Sequence, residues 1–171
     1  MKNKNVIIGI TSMLIITLIV VGIMMFLPIA EEEQELESNN NFACPLQEDF
    51  MITASFGERW GSFHDGVDLA AIPYGTNVYS IAYGVVERAV IDDDERGKYI
   101  VIRHADDMFS KYAHLSDINV EIGQFINRLD MIGTVGSSGM STATHLHFGL
   151  FMNDYSLTAN AIDPAIYIDC I

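Results

Sequence analysis

The apolar residues of the chain are concentrated in one uncharged run near its start. Residues 6–30 contain no charged side chain, and a bilayer core is crossed by about 20 apolar residues in a helix. Lysines precede the run and glutamates follow it directly. The positive-inside rule therefore predicts a single-pass anchor in the cell membrane, with residues 1–5 in the cytoplasm and the remainder outside.

A cleaved signal peptide is the alternative interpretation of the same run. Its apolar stretch normally covers only about 7–15 residues and ends in small residues before the cut. Here the run is longer, and Pro28-Ile29-Ala30 is a poor cleavage sequence. Cys44 has no leucine three positions before it, which argues against a lipoprotein anchor. An uncleaved anchor is the favoured prediction.

Beyond residue 44, short runs of β-branched and aromatic residues alternate with turn-forming residues, and helical periodicity is scarce. The strand-like runs cover residues 77–81, 84–91, 98–103 and 109–114. Turn residues are found at 73–75, 92–97, 105–107 and 133–139. Short strands at this spacing predict an all-β, antiparallel domain over residues 45–171.

Composition adds a charge argument and a candidate disulfide. The formal net charge is −14, and an acidic domain is repelled by phosphate backbones, so nucleic-acid binding is excluded as a main role. Residues 31–44 begin with glutamates and asparagines that have little to bury, which predicts a solvated tether. Cys44 and Cys170 open and close the exported part, so a disulfide is favoured over two free thiols.

Histidines and aspartates occur in two short arrangements that are typical of metal sites. In the sequence His64-Asp-Gly-Val-Asp68, an extended backbone places the first and last residues on one face, and His145-Leu-His147 does the same for two imidazoles on a strand. Two imidazoles and one carboxylate are a ligand set of catalytic zinc, which leaves a fourth position for water. Either pair alone is weak evidence, since such spacings also arise by accident.

Further segments match a known family in the same order along the chain. They are Phe56-Gly-Glu-Arg59, Gly75-Thr-Asn-Val78, Ala82-Tyr-Gly-Val-Val86, Tyr112-Ala-His-Leu-Ser116, Ile132-Gly-Thr-Val-Gly136 and Thr144-His-Leu-His-Phe148. Together with the two metal motifs, they resemble the lysostaphin-type (LytM-like) zinc peptidases, which cleave bacterial peptidoglycan. The resemblance covers roughly residues 52–168 and implies their β-sandwich-like fold.

The resemblance also implies a role for each matching residue. His64, Asp68 and His147 become the ligands of one Zn²⁺ per chain, and His145 and His114 become the catalytic pair beside it. The family usually has glutamate where Gly149 stands here. It usually has Gly-Pro where the chain has Ala143-Thr144. Neither position is a ligand, so these departures are expected to alter packing or the shape of the substrate groove.

Two other side chains near these motifs have open or structural interpretations. Tyr112 lies two residues before His114, so strand alternation puts it on the same face, where it positions a substrate carbonyl or simply packs. His104 is a lone histidine at a strand end and is interpreted as structural.

These observations lead to one favoured function and one rival. The favoured function is a membrane-anchored zinc endopeptidase that hydrolyses peptide bonds of peptidoglycan. The rival is a non-catalytic scaffold of the same fold, which binds an envelope or wall-hydrolase partner. A relative without metal, such as a sugar-phosphotransferase domain, is disfavoured because all five metal-site and catalytic residues are present. The oligomeric state is not predicted.

Overall fold

A computed structural model describes residues 42–59 and 61–171 of the chain. The anchor predicted at residues 6–30 and most of the tether lie outside these ranges. Within them, no helix has both the length and the apolar character needed to cross a bilayer.

Short strands account for most of the regular structure in the described ranges. In chain order they are β1 (Met51–Ala54), β2 (Gly57–Arg59), β3 (Ser62–His64), β4 (Val67–Ala70), β5 (Asn77–Tyr79), β6 (Gly84–Val90), β7 (Lys98–Arg103), β8 (Met108–Ile118), β9 (Phe125–Ile126), β10 (Met131–Val135), β11 (Leu146–Met152) and β12 (Ala161–Ile162). Two 3-10 turns, Thr158–Asn160 and Pro164–Ile166, lie near the end. The pairings among these strands are antiparallel, which confirms the predicted all-β antiparallel class.

Most strands belong to one sheet with β8 at its centre. The order along the sheet is β1-β4-β11-β8-β7-β6-β9, while β10 pairs with β8 and β5, and β12 pairs with β11. The hairpin β2–β3 forms a separate two-stranded sheet. Because β8 is eleven residues long, it hydrogen-bonds to three neighbours along its length.

Strand β11 is almost entirely buried, because both of its faces are covered. Three alternate residues of β11 are buried in the main core: Leu146, Phe148 and Leu150. The ring of Tyr112 on β8 packs against Phe148. On the other face Phe151 packs against Val101 and Phe109. Close-packed surroundings leave little freedom for a side chain to shift, so β11 is a rigid support for the residues it carries.

A disulfide closes the domain. Cys44 and Cys170 are bonded across a sequence separation of 126, which confirms the predicted bridge. Nearby, the Ala43 N–H donates to the Ile81 carbonyl at 2.8 Å, and Phe42 packs against the core. Residues 42–44, predicted as the end of the tether, are therefore part of the packed domain.

The turn predicted at residues 133–139 is only partly correct. Residues 133–135 belong to β10, and the turn follows them. A Cβ at Gly133 would lie 2.6 Å from the carbonyl oxygen of Asp117 on β8. This glycine therefore serves close packing of two strands, a requirement that resembles a turn signal in the sequence.

Candidate metal centre

The first candidate motif bridges the small hairpin and the main sheet. His64 is the last residue of β3 and Asp68 lies in β4, so the predicted continuous extension is interrupted at Asp65 and Gly66. A Cβ at Gly66 would lie 2.4 Å from the Phe148 carbonyl oxygen, so only glycine lets this turn close against β11. The two ends of the motif still meet, with His64 Nε2 3.1 Å from Asp68 Oδ1.

Strand pairing brings the second motif to the same point. His147 lies directly opposite Asp68 in the register of β11 against β4, a pairing in which side chains touch. Its Nδ1 lies 3.1 Å from Asp68 Oδ1 and 3.1 Å from His64 Nε2. The three atoms therefore form an equilateral triangle, and these residues form a group able to hold a metal ion.

Hydrogen bonds on the far side of each ring determine which nitrogen faces this triangle. The His64 Nδ1–H donates to the Ser55 carbonyl at 3.0 Å, so the Nε2 of a neutral His64 carries a lone pair. His147 Nε2 lies 3.1 Å from Asp65 Oδ1, and donation there leaves a lone pair on Nδ1. Two imidazole lone pairs and a carboxylate oxygen then converge, an arrangement that a cation stabilises.

The dimensions of the triangle fit zinc. Ligand atoms about 2.0–2.1 Å from a tetrahedral ion stand about 3.3–3.4 Å from one another, close to the 3.1 Å sides found here. Nitrogen and carboxylate donors are also the ligand types that zinc accepts. Arg59 Nη1 lies 3.9 Å from Asp68 Oδ2, which leaves Oδ1 to face the triangle.

Two further histidines border the triangle. His145 Nε2 lies 3.7 Å from Asp68 Oδ1, and its ring centroid lies 4.7 Å from that of His114. The Nδ1–H of His145 donates to the Ala143 carbonyl at 2.9 Å. The Nδ1–H of His114 donates to the Ser138 carbonyl at 2.8 Å. The Nε2 of each neutral ring is therefore free to accept a proton.

A β-bulge turns His114 toward these residues. In the register of β7 against β8, Ile100 faces Tyr112 and Lys98 faces Leu115, so two residues of β8 stand opposite Tyr99. His114 is one of these two and has a φ of 61°, a left-handed conformation that costs a non-glycine residue energy. Bulges re-aim side chains beside functional sites, and this one breaks the alternation expected from sequence.

That bulge separates Tyr112 from His114, and the Tyr112 side chain lies in the core. Its side chain is 0% exposed. Its hydroxyl accepts from the Ile81 N–H at 3.1 Å and from Ser110 Oγ at 3.1 Å. Burial raises the pKa of the phenol to about 12. Of the two interpretations of Tyr112, packing is the one that the structure supports.

His104 is structural, as the sequence predicted. It is buried between the Tyr83 carbonyl, 2.7 Å from Nδ1, and Ser110 Oγ, 2.7 Å from Nε2. Burial lowers its pKa. It belongs to the hydrogen-bonded group under Tyr112 and contributes nothing to the triangle.

The charges around the triangle are strongly coupled. Burial alone would raise the pKa values of Asp65 and Asp68, but several opposing interactions together outweigh burial and lower both. For Asp65 these are contacts with His147 and Lys111, and for Asp68 they are contacts with His147 and His64. Burial lowers the pKa of His147, but the same two carboxylates outweigh it and raise the pKa overall. In His114 burial is the largest effect, and its pKa is lowered. His114 is thus kept neutral, and able to accept a proton, at neutral pH.

Sequence reasoning missed Asp65 and Lys111. Lys111 Nζ lies 2.7 Å from Asp65 Oδ2, and Asp65 Oδ1 contacts His147. Asp65 lies inside the first metal motif, which was a usable signal. No sequence signal marked Lys111, because its contact with Asp65 depends on the register of β4, β11 and β8.

Comparison with known proteins identifies the family. The family model described as peptidase family M23 matches residues 62–164, more than half of the chain. The chain belongs to peptidase family M23. The peptidases of this family are zinc-dependent, and the His64, Asp68 and His147 triangle gives this M23 domain a group suited to that metal.

Relatives of this M23 domain include larger proteins. Cell division protein DipM of Caulobacter vibrioides is 34% identical over 140 residues, which are 81% of this chain and 22% of DipM. Peptidoglycan DD-endopeptidase ShyA of Vibrio cholerae is 38% identical over 96 residues, 56% of this chain and 22% of ShyA. The chain therefore spans about a fifth of the length of these relatives.

A solved structure supports the same fold. The catalytic domain of lysostaphin from Staphylococcus simulans aligns with a TM-score of 0.65 and 31% identity, covering 69% of this chain and 91% of that domain. The lysostaphin-type fold predicted from sequence is confirmed for the described residues.

Proposed function

We propose that this chain is a zinc endopeptidase that hydrolyses peptide bonds of bacterial peptidoglycan, with one Zn²⁺ held by His64, Asp68 and His147. The observation that carries the proposal is the 3.1 Å triangle of these ligand atoms with two further imidazoles beside it. Three protein ligands leave one position of a tetrahedral ion for water or substrate. The peptidoglycan substrate follows from family M23 and from relatives such as ShyA.

The chemistry divides between the metal and the histidine pair. A zinc ion held by His64, Asp68 and His147 would polarise a carbonyl and lower the pKa of water to about 7. His145 and His114 then do the proton work, because each keeps its proton on Nδ1 against a backbone carbonyl and presents Nε2. One Nε2 accepts the proton of the attacking water and returns a proton to the leaving amine. The other would stabilise the developing oxyanion in its protonated form, in which Nε2–H donates a hydrogen bond.

The proposed location is the outer side of the cell membrane, with residues 6–30 as a single-pass anchor and residues 1–5 in the cytoplasm. The Cys44–Cys170 disulfide supports it, since such bonds persist in oxidising compartments and are rare in the cytoplasm. The uncharged run supplies enough apolar residues to span the bilayer.

The test measures metal content and hydrolysis together on the full chain purified in detergent. The expected result is about one zinc per chain and release of peptide fragments from purified peptidoglycan, identified by mass spectrometry. His114→Ala should keep the metal and lose hydrolysis, whereas His64→Ala should lose both.

Two results would contradict parts of the proposal. A wild-type chain without zinc after gentle purification would contradict the metal site. A chain with zinc but without hydrolysis of any peptidoglycan chemotype would contradict the enzyme and favour the partner-binding scaffold predicted as its rival.

A further inference from the structure

A buried charged chain of contacts leads from the metal triangle into the sheet. His147 contacts the triangle through Nδ1 and lies 3.1 Å from Asp65 Oδ1 through Nε2. The other oxygen of Asp65 accepts from Lys111 Nζ at 2.7 Å. Asp65 contributes no atom to the triangle, so any influence that it has on a metal passes through His147.

Lys111 is an unusual partner, because it is almost completely enclosed. Its side chain is 3% exposed, and Nζ lies 4.3 Å from the centre of the Phe151 ring. Burial lowers its pKa, and the charge of Asp65 acts in the opposite direction. Enclosing an ammonium group is costly without a partner, so Asp65 and Lys111 depend on each other for their position.

Two glycines provide the space for this arrangement. Gly149 lies directly opposite Lys111 in the register of β11 against β8. A Cβ there would lie 2.9 Å from the carbonyl oxygen of Asp65 and 2.9 Å from the Phe151 ring. Gly66, the residue after Asp65, likewise lets its backbone lie close to the Phe148 carbonyl on β11. At Gly149, where the sequence departs from the usual glutamate, the Asp65 carbonyl and the Phe151 ring occupy the space that a side chain on β11 would need.

We propose that Asp65, held in place by Lys111, is a positioning residue that keeps the Nε2–H of His147 engaged and thereby fixes Nδ1 toward the metal. The proposal rests on the zinc site proposed above. A carboxylate that accepts from the outer nitrogen of a ligand histidine fixes the ring orientation and strengthens the inner nitrogen as a donor. In this chain the carboxylate comes from within the His64–Asp68 motif, and its own orientation comes from the central strand β8.

The first measurement is zinc affinity, by competition with a chromophoric chelator on the full chain. Loss of such an outer carboxylate typically weakens metal binding by about 10–100-fold. We expect Asp65→Ala to raise the zinc Kd by this factor. Asp65→Asn keeps an acceptor of the same shape and should rescue most of the loss. Lys111→Met, which leaves Asp65 present but unanchored, should lie between Asp65→Ala and the wild type.

The second measurement is the ring N–H signal of His147 in the zinc-loaded chain, by NMR with ¹⁵N-labelled histidine. The wild type should show an Nε2–H proton shifted downfield and protected from exchange with water. Asp65→Ala should lose that protection. Asp117→Ala is the matched control, because it removes an exposed carboxylate 3.9 Å from Lys98 Nζ and should change neither measurement.

The outcomes separate this inference from the proposed function. If the wild type binds zinc and Asp65→Ala binds it equally well, the inference is overturned and the zinc site stands. A lower melting temperature of Asp65→Ala and Lys111→Met at unchanged zinc Kd would give the pair a purely structural role. A wild-type signal without protection overturns the inference even if Asp65→Ala fails to fold. A wild-type chain that binds no zinc overturns both proposals.

Discussion

The close contact between Gly97 and Ser138 allows the position of His114 to be disturbed without altering a metal ligand. A Cβ at Gly97 would lie 2.3 Å from the carbonyl carbon of Ser138. The Ser138 carbonyl accepts from His114 Nδ1 at 2.8 Å, and the Arg96 carbonyl accepts from the His114 backbone N–H at 3.0 Å. Gly97→Ala therefore pushes apart the two backbone segments that hold His114.

The size of the displacement gives the expected effect on rate. Ordinary van der Waals contact of a Cβ begins at 3.4 Å, so Ser138 must retreat by about 1 Å. A misplacement of about 1 Å at a catalytic centre costs about 100-fold in rate, which is about 2.7 kcal/mol of activation free energy. The zinc Kd should stay unchanged, because the three proposed ligands lie on β3, β4 and β11.

The assay compares initial rates of fragment release from peptidoglycan with zinc content, for Gly97→Ala and a matched variant. Gly123→Ala is that variant, because Gly123 also has a positive φ but has no atom within 4 Å of the added Cβ. Gly123→Ala should keep the wild-type rate, so backbone strain alone is controlled. Wild-type activity in Gly97→Ala, or loss of its zinc, would refute the assignment of His114 as a positioned proton acceptor.

Three other changes test separate parts of the structure. Replacing both Cys44 and Cys170 by serine should lower the free energy of unfolding by about 5 kcal/mol in urea titrations, since the bridge closes a loop of 126 residues; a change below about 1 kcal/mol would reject that estimate. Tyr112→Phe should lower the free energy of unfolding by about 1–3 kcal/mol and leave the rate of hydrolysis unchanged, because the Tyr112 hydroxyl hydrogen-bonds Ile81 and Ser110. A variant of normal stability with a lower rate would instead support a substrate contact of Tyr112. The zinc Kd should rise as pH falls, because Asp65 and Asp68 raise the pKa of His147 and protons compete for its Nδ1; a Kd independent of pH would contradict this.

Much of the fold was predictable because the strands are short and rich in β-branched residues. The strand predicted at residues 98–103 has the observed limits of β7. The strand predicted at 109–114 was too short, since β8 continues to Ile118. Its continuation contains Asp117 and follows a bulge, so neither hydrophobic alternation nor composition marks it as strand.

The candidate site was predictable in its members more than in its geometry. His64, Asp68, His145 and His147 were found because they form two pairs that are close in sequence. In the structure His147 lies in β11 and His145 immediately precedes it. The bulge at His114 depends on the register of β7 against β8, a long-range property that no local pattern encodes. Strand alternation without the bulge placed Tyr112 on the same face as His114. The structure instead buries Tyr112 in the core.

The disulfide also determines how the domain bears tension. A pulling force that enters the chain ahead of Cys44 passes through a covalent bond to Cys170, next to the last residue. The load is therefore shared between both ends of the folded unit, which reduces the part of it that pulls β1 away from β4. If the chain is anchored and acts on peptidoglycan as proposed, this linkage would help the domain resist mechanical unfolding.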